Sequence, residues 1–169
     1  MHPARAVQLL CLDVDGVLTD GGIAIDDHGV ETKRFHVRDG AGLRIWRRLG
    51  YEVAVITGRR GGVVRHRMGE LGIRHIVQGT GNKAEAFGEL LGQLELKASQ
   101  AAMLGDDLPD LPALRLCGYP MAVADAVPEV KAIAEFTTAA RGGDGAVREA
   151  IEHLLKEQDR WDAALALFR

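Results

Sequence analysis

The stretch Leu9-Leu10-Cys11-Leu12-Asp13-Val14-Asp15-Gly16 constrains what this chain can fold into more than any other segment. An unbroken apolar run of this length is the signature of a strand buried on both faces, as in the middle of a parallel sheet. It ends by presenting two carboxylates, Asp13 and Asp15, that alternation along a strand would put on one side of the ribbon. Carboxylates at the end of a buried strand are costly unless compensated, and two on one face repel. A cation is the natural partner, and an oxygen-only donor set suits a hard ion such as Mg2+. A strand running out into a solvated acidic turn would show the same residues, but Gly16 directly behind them lets a ligand approach.

Strand-like and helix-like segments alternate along the rest of the chain. Val53 to Ile56, Ile76-Val77, Ala101 to Leu104, Met121 to Val123 and Phe136 to Thr138 read as strands. Asp39 reads as the N-cap of a helix through Leu43, Ile45, Trp46 and Leu49, stopped by Gly50. Further helices are predicted through Val64 to Leu71, Lys83 to Leu94, Leu111 to Leu116, Pro128 to Ala134 and Ala146 to at least Leu155. Asn82 and Glu85 form a cap pair for the one that Lys83 opens. Ile23, Ile25 and Val30 around Asp26-Asp27-His28-Gly29 predict a projecting β-hairpin.

This alternation predicts an α/β fold, a Rossmann-like doubly wound parallel sheet, with ligands bound at the carboxyl ends of its strands. A single domain is expected over residues 1–169, with a hairpin flap over about 18–37 and a C-terminal tail over about 156–169.

Composition excludes several classes. A net charge of −3 over 169 residues supplies no basic face for nucleic acid. No apolar run is long enough to span a bilayer, and Met1-His2-Pro3-Ala4-Arg5 leads straight into a strand rather than a signal peptide, which predicts a cytoplasmic protein. Cys11 and Cys117 are isolated in apolar surroundings and read as small core residues of a reducing compartment.

Three of the predicted strands end in polar residues: Asp13 and Asp15 on the first, Thr57 on the second, Asp106 and Asp107 on the third. If those strands are neighbours, the side chains converge on one crevice, and Lys83 opens the helix between the second and third. Each has a duller reading. Thr57 or Asp106-Asp107 would serve as helix caps, and Lys83 as a solvated lysine. Their occurrence together at successive strand ends makes a set of carboxylates, a hydroxyl, an ammonium and glycine-rich amides suited to a phosphoryl group and a divalent ion.

Asp13-Val14-Asp15-Gly16-Val17-Leu18-Thr19-Asp20-Gly21, Ile56-Thr57-Gly58-Arg59, Asn82-Lys83 and Gly105-Asp106-Asp107-Leu108-Pro109-Asp110 together resemble the haloacid dehalogenase superfamily of phosphatases. More narrowly, Phe35-His36-Val37-Arg38-Asp39-Gly40, Val123-Ala124-Asp125-Ala126 and Gly142-Gly143-Asp144-Gly145-Ala146 resemble its 3-deoxy-D-manno-octulosonate 8-phosphate phosphatase branch. The resemblance runs from Val7 to Leu155.

That resemblance implies a Mg2+-dependent phosphomonoester hydrolase. Asp13 would attack phosphorus and become an aspartyl phosphate, with no base needed to ionise it. Asp15 would protonate the leaving sugar oxygen and then deprotonate the attacking water. Thr57 would bind phosphoryl oxygens, and Lys83, oriented by Asp107 or Asp110, would offset their charge. Asp13, Asp106 and the Asp15 carbonyl would hold the metal. The substrate would be an acidic sugar phosphate, the product feeding lipopolysaccharide synthesis. Asp15, Arg38, Asp39, Gly58, Arg59, Arg67 and Lys83 are the implied substrate contacts, the arginines suiting a carboxylate.

The motif spacing leaves no room for a cap domain, and in the family a homotetramer covers the open site with hairpin flaps. A related branch acting on nine-carbon 2-keto-3-deoxy sugar acid 9-phosphates carries Glu at the position of Arg59, which tilts this chain to the eight-carbon substrate. A non-catalytic assembly module is the other alternative, disfavoured because Asp15, Lys83 and Asp106 are all present. Two features depart from the family: Asp144 stands where a basic residue is usual, and Gln158 to Arg169 carries Trp161, Leu165, Leu167 and Phe168, which would continue the last helix into a subunit contact or cover a neighbour's site.

Overall fold

Strand β1 (Leu9–Leu12) is buried along its whole length and is flanked on both sides by parallel partners. The structure, a computed structural model, describes residues 2–169. After β1 come a two-stranded hairpin, β2 (Ala24–Ile25) and β3 (Glu31–Thr32), and then β4 (Glu52–Thr57), β5 (His75–Gln78), β6 (Ala101–Gly105), β7 (Tyr119–Ala122) and β8 (Phe136–Thr137). The six-stranded sheet runs β5-β4-β1-β6-β7-β8, every neighbouring pair parallel, while β2 and β3 pair antiparallel outside it. The order reverses about β1, because the chain builds outward through β4 and β5 and then crosses back to β6. That reversal opens a crevice at the carboxyl ends of β4, β1 and β6.

The helices are α1 (Val37–Arg48), α2 (Gly62–Glu70), α3 (Lys83–Gln93), α4 (Leu111–Leu114), α5 (Pro128–Ile133), α6 (Ala146–Glu157) and α7 (Trp161–Ala166). Helix α1 packs on α6 and α3 on α4, two layers that right-handed crossovers place on opposite faces of the sheet. The core between them is apolar throughout, with Trp46, Tyr119, Phe87 and the β1 leucines fully buried.

Register aligns the strand tips. Leu12 pairs with Val55 and with Leu104, so Asp13 lies level with the end of β6, just short of the end of β4. The predicted elements are all present, with ends displaced by a few residues. Gly50 and Gly72 adopt φ of +93° and +70° directly after the C-caps of α1 and α2, the left-handed geometry that ends a helix. Asn82 Oδ1 accepts from the Glu85 amide, as the cap pair predicted.

Two expectations change. Asp39 is not the N-cap of α1: His36 is, its Nδ1 accepting from the Arg38 amide, while Asp39 lies buried in the first turn. The tail does not continue α6. Asp159 takes φ of +56°, breaking the helix, and α7 folds back so that Ala164 is buried. Gln158 Nε2 donates to the carbonyls of Ala4 and Val7, and Arg5 pairs with Asp159, so the tail is tied to its own N-terminus.

Candidate active site

Asp13 and Asp15 meet through a turn rather than through strand alternation. Regular pairing stops at Leu12, and the Val14 carbonyl then accepts the amides of Val17, Leu18 and Thr19 at 3.2, 2.9 and 3.1 Å. This winds the chain back so that both carboxylates line one pocket of about 200 Å3. Thr57, Gly58 and Arg59 from the end of β4, Lys83 from α3, and Asp106, Asp107 and Asp110 beyond β6 line it too. The convergence expected of the strand ends is therefore present.

Lys83 is the hinge of the charge arrangement. Its ammonium donates to Asp13 Oδ1 at 2.8 Å and to Asp110 Oδ1 at 2.5 Å, and all three side chains are buried. Burial works against that charge, but Asp13 and Asp110 outweigh it and hold the ammonium's pKa above its ordinary value. Asp110 Oδ2 accepts the amides of Asp106 and Asp107 at 3.0 and 3.3 Å, so Asp110 is committed on both oxygens. Of the two residues expected to orient Lys83, Asp110 does so. Asp107 caps the following turn instead, its Oδ1 accepting from the Leu108 amide at 2.7 Å.

Asp106 is the carboxylate left over. Its Oδ1 is buried without a hydrogen-bond partner. Oxygens of Asp13, Asp106 and Asp110 lie within 4.8 Å of one another. Burial, and then the neighbouring carboxylates, push the pKa of Asp13 up to about 6 and that of Asp106 up to about 8. A buried orphan oxygen, two proton-hungry carboxylates and hard donors only are what a divalent cation such as Mg2+ would relieve. Since Asp110 is spoken for, Asp13 and Asp106 are the side chains that fit it. Gly16 makes their approach possible: with φ of +96°, a Cβ there would lie 2.0 Å from Asp106 Oδ2.

Thr57 is buried, and its Oγ1 accepts the Arg59 amide at 3.2 Å. With the oxygen so engaged, its proton is free for an acceptor in the pocket.

The hairpin delivers two residues that sequence reasoning missed. The Lys33 ammonium pairs with Asp15 Oδ1 and, at 2.8 Å, with Glu31 Oε1, while Glu31 Oε2 meets Arg59 Nη2 at 3.3 Å. The available signal was the spacing Glu31-Thr32-Lys33, which puts the two charges on one face of a strand. Thr19 was also missed. Its Oγ1 accepts the amides of Gly16 and Gly21, bracing the loop behind Asp15.

Gly142 and Gly143 pack against that same loop. The Gly143 amide donates to the Val17 carbonyl at 2.9 Å, and a Cβ on Gly142 would lie 1.7 Å from the Gly16 carbonyl oxygen. Asp125 Oδ1 accepts the Gly142 amide, joining two of the motifs that carry the narrower resemblance. Asp144, the departure, lies 3.7 Å from the imidazole of His36.

Three expected substrate contacts lie elsewhere in this chain. Arg38 is exposed in the first turn of α1, in a groove with Asp144 and Arg148. Arg67 pairs with Glu70 at 3.0 Å, its guanidinium against Gly40. Asp39 Oδ1 accepts the Arg148 amide at 2.8 Å, satisfying a free N–H in the first turn of α6. Strand-end residues are aimed by the sheet, whereas these three are carried by helices, and none of them lines the pocket of this chain.

Comparison with known proteins agrees with this geometry. The profile of haloacid dehalogenase-like hydrolases matches residues 70–151. The 3-deoxy-D-manno-octulosonate 8-phosphate phosphatase KdsC of Escherichia coli is 45% identical over 164 residues, 97% of this chain and 87% of that protein. The crystal structure of the Moraxella catarrhalis phosphatase of the same name, in complex with magnesium, phosphate and KDO, superposes with a TM-score of 0.96 at 42% identity, covering 99% of this chain and 96% of its own. The cobalt-bound Haemophilus influenzae enzyme does so with a TM-score of 0.91 at 39% identity, covering 94% and 92%. With its fold and nearly its whole length matched at this identity, the chain belongs to the 3-deoxy-D-manno-octulosonate 8-phosphate phosphatase family of haloacid dehalogenase-like hydrolases.

Proposed function

We propose that this chain hydrolyses 3-deoxy-D-manno-octulosonate 8-phosphate with the help of Mg2+, through an aspartyl phosphate on Asp13, and so releases KDO for lipopolysaccharide synthesis. The observation that carries this reading is the division of labour among the pocket carboxylates. Asp110 is consumed in holding Lys83, Lys83 takes one oxygen of Asp13, and Asp106 keeps an unpaired buried oxygen.

In this reading Lys83 fixes the Asp13 carboxylate and leaves its second oxygen for attack on phosphorus. As that bond forms, the bond from phosphorus to the sugar oxygen breaks, and Asp15 supplies the proton that the departing alkoxide takes. Asp15, now a carboxylate, removes a proton from water. The resulting hydroxide adds to phosphorus and returns Asp13 to a free carboxylate. The Thr57 hydroxyl and the Lys83 ammonium stabilise the charge on the phosphoryl oxygens. The carboxylates of Asp13 and Asp106 and the Asp15 carbonyl would hold Mg2+, whose charge offsets that of the phosphoryl group. Gly58 and Arg59 border the pocket where the sugar would lie.

The assembly follows from the hairpin. Ile23, Ile25 and Val30 are 53%, 58% and 56% exposed on it, an apolar edge that a homotetramer would cover. We read the chain as one domain with this hairpin as a flap, working in the cytoplasm. Among the described residues, no helix is long and apolar enough to cross a membrane.

The test is phosphate release from a panel of 2-keto-3-deoxy sugar acid phosphates and neutral hexose phosphates, with and without Mg2+. The eight-carbon acid ester should be preferred and the reaction should need the metal. Preference for the nine-carbon ester or for neutral hexoses would remove the substrate assignment. Light scattering should give the mass of four chains, and a monomer would remove the tetramer.

A further inference from the structure

The charged chain Asp15–Lys33–Glu31–Arg59 crosses from the catalytic loop to the hairpin and back to the end of β4. Glu31 is the odd member. A carboxylate between two cations at the mouth of a site for an anionic ester lowers the positive potential that draws the ester in. Its two oxygens are shared, one to Lys33 at 2.8 Å and one to Arg59 at 3.3 Å. The Arg59 guanidinium is 44% exposed and, among the described residues, uses one donor in that single long contact. The Lys33 side chain is only 2% exposed and pairs with Asp15 as well, so its charge is held in place behind the pocket wall rather than loose in solvent. The two cations are thus bridged by a carboxylate carried on a two-residue strand of a projecting hairpin, and its contact to Arg59 is long.

We propose that Glu31 is a decoy carboxylate, which fills the Lys33–Arg59 cation pair until the carboxylate of an acidic sugar phosphate displaces it. This rests on the acidic-substrate reading above and deepens it by assigning the carboxylate subsite. The half-exposed Arg59–Glu31 pair is weak, and at buried Lys33 an incoming carboxylate would take the place of Glu31 as partner. Exchanging one carboxylate for another therefore keeps the ammonium paired and is nearly neutral. A neutral sugar phosphate has no carboxylate to put in place of Glu31 and leaves the cation pair as it is. Glu31 therefore competes with the acidic ester's carboxylate, keeps the Lys33 and Arg59 charges paired between substrates, and leaves neutral esters nearly untouched.

Glu31→Gln keeps the shape of the side chain and removes its charge. Steady-state kinetics with an acidic 2-keto-3-deoxy sugar acid phosphate and with a neutral hexose phosphate, and calorimetry with the phosphate-free sugar acid, read the effect. The KM for the acidic ester and the Kd of the free acid should both fall about three- to fivefold, with the neutral ester's KM moving less than about twofold. Lys33→Met should raise the first two, and adding Glu31→Gln to it should recover little. A KM for the acidic ester that is unchanged or higher in Glu31→Gln, as when Glu31 only anchors the hairpin, overturns the proposal. A wild-type enzyme that prefers neutral esters overturns the acidic-substrate reading itself, and is seen before any variant is made.

Discussion

Asp110 holds Lys83 at 2.5 Å with one carboxylate oxygen while its other oxygen accepts the amides of Asp106 and Asp107. One buried residue thus fixes both the ammonium beside Asp13 and the backbone that carries Asp106. Asp110→Asn cannot serve both sides, because its NH2 group must face donors on one of them. Leaving such a buried group short costs about 1–3 kcal/mol, so turnover should fall on the order of 10- to 100-fold with a lower melting temperature. Asp13→Asn should instead abolish phosphate release while the protein stays folded by circular dichroism. Wild-type-like turnover in Asp13→Asn would remove Asp13 as the nucleophile.

The raised carboxylates give a pH signature. In the metal-free protein Asp13 titrates at about 6 and Asp106 at about 8, against 3.8 for an ordinary aspartate, through burial first and then neighbouring carboxylates. Between these limits the folded protein holds protons that the unfolded chain has lost. Their contribution to stability is full below pH 3.8 and is lost as pH rises through about 6 and about 8. Mg2+ binds the ionised carboxylates and must displace those protons. The rise in melting temperature on adding Mg2+ to protein stripped with EDTA should therefore grow from about pH 5 to about pH 8. A rise that does not change with pH would mean the ion sits elsewhere.

The fold was legible because few devices specify it. Runs such as Leu9 to Leu12 and Ala101 to Leu104 can only be central strands, and Asn82, Gly50 and Gly72 mark helix ends by local chemistry. The candidate site was legible for the same reason: a parallel sheet aims the residues at and just past its strand ends, so Asp13, Thr57 and Asp106 had one place to go. Lys33 and Glu31 were not, since the path of a hairpin with two-residue strands is set by tertiary contacts that no local pattern records. The positions of Arg38 and Arg67 outside the Asp13 pocket of this chain were not legible either, because a long side chain on a helix points where the helix face points, and only packing decides that face. Gly142 is the reverse case: its motif was visible, but its reason, contact with the Gly16 carbonyl, exists only in three dimensions.

Gly16 has two reasons to be glycine, a φ of +96° and the Asp106 carboxylate 2.0 Å from where a Cβ would sit. Gly16→Ala should cost about 1–2 kcal/mol in backbone strain alone. Displacing Asp106 should weaken Mg2+ binding by about 10- to 100-fold, measured by calorimetry on the folded variant. If Mg2+ affinity is unchanged while stability falls, Asp106 is not a ligand and the strain is the whole effect.

Asp39 separates a structural role from a substrate role. Its carboxylate reaches across from α1 to the Arg148 amide at 2.8 Å, a cap supplied to α6 by another helix. It is 1% exposed, and burial raises its pKa, although the amide of Arg148 draws it the other way. Removing a side-chain cap costs about 0.5–2 kcal/mol, which for a chain of this size lowers the melting temperature by about 1–8 °C. Asp39→Ala should show that loss while KM for the sugar acid phosphate moves less than about twofold, because Asp39 does not line the Asp13 pocket. A large rise in KM with an unchanged melting temperature would restore Asp39 to the substrate site, supplied across a subunit boundary. The two readings move opposite observables, so one variant with one melting curve and one substrate titration decides between them.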